Sequence, residues 1–107
     1  MAEIPPPRVL LIQGVTRSGR PFRPSDWAER LCGVMSQFRP AGRAFPQSHL
    51  GYSPYVVPTV VNDIKTVILD ERLRALEPRA YEFVIAFARD NDLLTVEPSD
   101  LAKNAEI

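Results

Sequence analysis

Apolar residues change their spacing several times along this chain, and each change marks an element. Val9 to Val15 is a short, β-branched, apolar run of the kind that forms a buried strand. Thr16-Arg17-Ser18-Gly19-Arg20 has turn chemistry, with Gly19 able to take a positive φ. Pro21-Phe22-Arg23 is expected to run back beside that strand as a short arm, confined to an edge by Pro21. The spacing then becomes helical. Trp27, Leu31, Val34, Met35 and Phe38 fall at i, i+4, i+7, i+8 and i+11, which makes one apolar stripe. Pro24 disfavours helix in the residue before it, and Ser25 is a suitable N-cap. Asp26 complements the helix dipole, and Pro40 and Gly42 stop the helix.

No period appears from Arg39 to Pro54, where Pro40, Gly42, Pro46, Gly51 and Pro54 crowd together. Loops of this length in compact domains tend to carry function. Tyr55 to Val61 and Ile64 to Leu69 are two β-rich runs, separated by Asn62-Asp63, a tight-hairpin composition. Pro58 cannot donate to a ladder, so the first of these runs belongs at an edge or carries a bulge. Asp70 to Glu77 suits one helical turn with Leu73 and Leu76 inward. Pro78 suits the first turn of a longer helix whose buried stripe is Ala80, Phe83, Val84, Phe87 and Ala88. Asn91-Asp92 ends it, and Leu93 to Glu97 reads as a last strand.

The order strand-helix-strand-strand-helix-strand predicts an α+β protein, a two-layer sandwich of ferredoxin-like type. Its expected parts are a disordered proline-rich arm over 1–7, a single domain over 8–97 and a frayed tail over 98–107. Each helix has one apolar stripe, so both are expected on the same sheet face. The other face would then stand open to a partner or a second copy.

Composition narrows the function. The chain has 107 residues and zero formal net charge, ordinary for one globular domain. No apolar run is long enough to cross a bilayer and no signal-peptide pattern opens the chain, so a cytoplasmic location is expected. Charge is nevertheless uneven. Residues 1–60 carry seven arginines against three acids, net +4, and residues 61–107 carry six basic and ten acidic groups, net −4. A single cysteine, Cys32, rules out an internal disulfide and a cysteine-rich zinc site. Cys32 lies beside the first helical stripe and reads as a small core residue.

Catalytic chemistry is poorly supported. The one histidine, His49, has Ser48 and Ser53 nearby, but no orienting acid and no Gly-x-Ser-x-Gly turn. Gly14-Val15-Thr16-Arg17-Ser18-Gly19 lacks the Gly-Lys-Ser/Thr ending of a phosphate loop, and a turn explains it better. No cofactor or metal is expected. The best candidate surface joins Arg39, Arg43, His49, Tyr52 and Tyr55, with Arg20 and Arg23 beside it. Tyrosine with adaptable polar neighbours is the character of a contact surface. The leading expectation is a non-catalytic protein-binding or regulatory module that binds a protein partner or itself. The alternative is single-stranded nucleic acid held by the arginines and aromatic rings of residues 39–55. An enzyme that clamps a small anion with arginines comes third.

The strings Gln13-Gly14-Val15, Phe22-Arg23-Pro24-Ser25-Asp26-Trp27-Ala28-Glu29-Arg30-Leu31, Tyr52-Ser53-Pro54-Tyr55-Val56 and Asp70-Glu71-Arg72-Leu73 resemble a small bacterial family known only as a domain of unknown function. The likeness runs over roughly residues 9–97. It implies a bacterial origin and brings no activity, cofactor or residue role.

Overall fold

The computed structural model describes residues 8–38 and 52–98. The expected arm over 1–7, the loop over 39–51 and the tail after Pro98 lie outside them. The described residues form an α+β fold around a four-stranded antiparallel sheet. In chain order the elements are β1 (Val9–Thr16), α1 (Trp27–Val34), β2 (Val56–Val61), β3 (Ile64–Asp70), α2 (Arg72–Leu76), α3 (Pro78–Asp90) and β4 (Leu93–Val96).

The strands lie in the order β2-β3-β1-β4, with every neighbouring pair antiparallel. β2 and β3 form a hairpin whose two turn residues both take positive φ, Asn62 at 52° and Asp63 at 66°. That pair of angles matches the right-handed twist of the strands it joins, and Asn and Asp tolerate it better than most residues. Pro58 sits in β2, which is an edge strand, as its missing N–H requires. After β1 the chain turns through Gly19, φ 89°, and Phe22 N–H donates to Gly14 O at 2.9 Å. The returning arm makes only a single bridge, Val15 to Pro21.

One core holds the molecule together. Ile12, Val56, Val67, Leu69 and Leu93 enter it from the sheet, with Trp27, Ala28, Leu31 and Met35 from α1 and its end, and Leu73, Tyr81, Val84 and Ala88 from α2 and α3. Cys32 is fully buried there, as its place beside the stripe suggests. Burial and the nearby charge of Glu29 push its thiol up to about 12.

Four local expectations are corrected. Ser25 does not cap α1: the cap is Asp26, without a side-chain cap bond, and the helix starts at Trp27. Three side chains expected inward face water instead: Val34 is 59% exposed, Phe83 49% and Leu76 39%. The reason in both longer helices is rotational. Each residue turns the helix by about 100°, so a stripe centred on Val84, Ala80 and Ala88 leaves Phe83 at its edge. In α1 the buried arc centres on Ala28, Leu31, Cys32 and Met35, and Val34 falls outside it. Tyr81, which the expected stripe left out, is buried in the core.

The second sheet face also departs from expectation. Alternation along β1 and β3 sends Leu11, Gln13, Thr66 and Asp70 to the face opposite Ile12, Val67 and Leu69. All four are buried. Val9, Val57 and Ile68 on the same face are half-buried, so this face is partly covered rather than fully open.

Candidate binding groove

The sequence-predicted site residues do not converge. Arg39, Arg43 and His49 lie outside the described residues. Arg20 and Arg23 are exposed in the connection that follows the C-terminal end of β1, and neither forms an ion pair among the described residues. Tyr52 and Tyr55 are half-buried and pack against the core. Tyr55 O accepts from Asp70 N–H, and Asp70 pairs with Val9 at the other end of β1. The eight residues of β1 separate the two groups, a span of about 24 Å at the usual rise. Arg20 and Arg23 thus belong to one end of the sheet and the tyrosines to the other.

The tyrosine end is a structural joint. Ser53 is fully buried, and its hydroxyl donates to Phe38 O at 2.6 Å while accepting from Tyr55 N–H at 3.1 Å. This ties the end of the α1 segment to the start of β2. Arg72 lies over the Tyr55 ring, its Cζ 5.2 Å from the centroid, and grips the buried Asp70 carboxylate through Nε and Nη2. The hydrogen bond to Asp70 raises the pKa of the Arg72 guanidinium.

An apolar concavity lies elsewhere, between α1 and α3. Three rings form its floor. Phe22 meets Trp27 edge-on at 5.6 Å and Phe87 edge-on at 5.9 Å, while Trp27 and Phe87 stack at 6.1 Å. Pro24, Leu31, Val34 and Phe83 complete a hollow of about 260 Å³. Arg30 stands at its rim, held by Asp26 at 2.9 Å, one turn earlier on the same helix. Val34 and Phe83 also border a second hollow of about 400 Å³, which runs on past Met35 and Phe38 to Arg79. The two exposed apolar side chains therefore stand where the hollows meet. Sequence reasoning missed this groove. The signal lay in the two edge positions, Val34 and Phe83, which a stripe count assigns to the core.

Glu29 and Lys65 do not line the groove; they form an ion pair in which Glu29 Oε1 is buried without a hydrogen-bond partner among the described residues. Lys65 Nζ bonds Glu29 Oε2 at 2.7 Å, and this bond holds the Glu29 carboxyl below its usual range. Among the described residues no group of three His, Cys, Asp or Glu side chains is placed to hold a metal ion, and no helix is long and apolar enough to cross a membrane.

These features define a small α+β protein with an apolar inter-helix groove. Residues 6–98 match the model of a family described as a protein of unknown function (DUF3579), and the chain belongs to that family. A search of curated proteins finds no match. The fold is similar to a structure determined in solution and described as the first structural representative of its family, with 32% identity and a TM-score of 0.68. The likeness covers 92% of this chain and 86% of that one.

Proposed function

We propose that the protein is a non-catalytic binding module that takes an apolar side chain of a protein partner into the groove between α1 and α3. The observation that carries this reading is the pair Val34 and Phe83, 59% and 49% exposed over an aromatic floor. A soluble domain seldom leaves two large apolar side chains together at a concave site unless a partner covers them. Covering both would remove roughly 200 Å² of apolar surface from water, about 4–5 kcal/mol before association entropy. We read the β2-β3-β1-β4 order, with all three helices feeding one core, as a ferredoxin-like two-layer sandwich. The same reading treats the chain as a cytoplasmic bacterial protein whose regulation of a partner is steric.

A photo-crosslinking residue at position 83 tests this in living cells, with position 60 as control, because Val60 is equally exposed at 57% but lies on the edge strand β2. A protein adduct from position 83 and none from position 60 is expected. Silence at 83, or equal adducts at both positions, overturns the reading. An adduct at the mass of two chains identifies the partner as a second copy.

The nucleic-acid alternative draws on Arg20 and Arg23, both exposed and without an ion-pair partner among the described residues. It requires affinity for single strands that falls steeply with salt and weakens in Arg20→Ala and Arg23→Ala.

A further inference from the structure

The outward side of α3 bears on what covers the groove. At about 100° per residue, Arg79, Phe83, Ala86 and Asp90 fall within about 60° of one another on the helix surface. They stand at i, i+4, i+7 and i+11, the alternating spacing of a helix-pairing seam. Phe83 is 49% exposed, Arg79 and Asp90 are exposed and Ala86 is half-buried, so the seam is free of the chain's own core. Arg79 forms no ion pair among the described residues. Asp90 meets only its sequence neighbour Arg89, at 3.5 Å, with both side chains largely in water.

This seam is complementary to itself. A cation and an anion close its two ends, and a large apolar and a small side chain fill its middle. Two copies of α3 laid antiparallel about a two-fold axis match throughout. Arg79 of each copy meets Asp90 of the other, and Phe83 of each meets Ala86 of the other. Glu82 and Arg89 repeat the relation along one flank of the seam. Both are exposed, and the same axis brings Glu82 of one copy beside Arg89 of the other. Parallel packing would instead set Arg79 against Arg79 and Asp90 against Asp90. We propose that the partner covering Phe83 is a second copy of this chain, docked through an antiparallel α3–α3 pair. The inference rests on the groove reading and gives the partner an identity. Phe83 of the incoming copy lies next to Phe87, on the α3 wall of the hollow of about 260 Å³. A contact built on one helix pair falls below the roughly 1,200 Å² of a standard interface, so the dimer is a weak one.

Sedimentation of the full chain across micromolar concentrations tests this, with two charge reversals. Arg79→Glu and Asp90→Arg each set like charges at both ends of the seam, and each is expected to weaken the dimer about tenfold or more. Both changes suit the helix dipole, with an anion in the first turn of α3 and a cation in the last, so both variants keep the fold. An equimolar mixture of the two variants is expected to dimerise about as tightly as the parent, because opposite charges then meet at each end. A parent chain that stays monomeric up to about 1 mM overturns the inference. So do single variants that associate as tightly as the parent, or a mixture that associates no better than its components. A monomeric parent with a crosslinked adduct of another mass at position 83 would overturn this inference and leave the groove reading standing.

Discussion

Nε1 of Trp27 and the α-carbon of Gly14 are packed so closely that a methyl group on Gly14 would lie 2.5 Å from the ring nitrogen and 2.9 Å from Lys65 O. One obstacle is a buried ring stacked on Phe87, and the other is backbone of the central strand β3. Neither yields cheaply. Gly14→Ala is therefore expected to lose about 1–3 kcal/mol, the usual cost of overpacking a core. Urea unfolding followed by Trp27 fluorescence measures it, and an unchanged midpoint would show that the ring relaxes freely. Gly33 is the matched control, because a Cβ there meets nothing within 4 Å. Gly33→Ala is expected to be neutral or stabilising, since alanine is the better helix former.

Asp70 is 6% exposed and is satisfied from one residue, with Arg72 supplying its backbone N–H at 2.9 Å and its guanidinium at 2.6 Å. Removing the guanidinium leaves a buried carboxylate with the backbone donor alone. Arg72→Ala is expected to lose roughly 2 kcal/mol, less than a fully buried pair because the Arg72 side chain is 56% exposed. Asp70→Asn in the Arg72→Ala background is expected to recover part of it, since a neutral amide is less costly to bury. Thermal unfolding of the parent and the two variants checks this. If the double variant is no better than the single, charge burial is not the cause.

Most elements were legible because their signals are local. Asn62-Asp63 between two β-branched runs specifies its own turn, and Pro78 marks the start of α3. Gly19 was recognisable as a positive-φ position for the same reason. What was not legible depends on rotation and on distance through space. The period of α3 shows that Phe83 borders an apolar stripe, but only the rotation of the packed helix, with Ala80, Tyr81, Val84 and Ala88 inward, decides that Phe83 is turned outward. Arg20, Arg23 and Tyr55 share a chemical character that suggests one surface, and only the strand register reveals that β1 lies between them. The groove joins residues far apart in sequence, so no window of the chain displays it.

Cys32 links burial to alkaline stability. Its thiol is raised from 9.0 to about 12 in the folded chain, chiefly by desolvation. An acid whose folded pKa is raised binds its proton more tightly folded than unfolded. That contribution is complete below about pH 9 and is lost as the pH rises toward 12, by about 1.4 kcal/mol per pH unit where only the unfolded thiol has ionised. Cys32→Ala removes the group, so the parent is expected to lose more stability than the variant between pH 8 and pH 10.5. Urea unfolding at both values gives the difference, in which other alkaline titrations cancel. Equal losses would mean that the thiol reaches solvent in the folded chain.

Phe83 and Phe87 are one helical turn apart on α3, and they separate binding from folding. Phe87 touches Trp27 and Phe22 at 6.1 and 5.9 Å and is packed against the core. Phe83 is half-exposed, at the junction of the two hollows. Phe87→Ser is expected to lose about 3 kcal/mol, near the lower end for removing a core aromatic ring, because Phe87 is only half-buried. Phe83→Ser is expected to lose less than half as much as Phe87→Ser, about 1 kcal/mol, since phenylalanine and serine have similar helix propensities and half of the ring is already in water. The same variant should abolish the adduct formed by a crosslinker at position 34, the other exposed side chain of the groove. A stable Phe83→Ser protein that still crosslinks from position 34 would place the partner on another surface. A Phe83→Ser protein that unfolds would show that the ring belongs to the core.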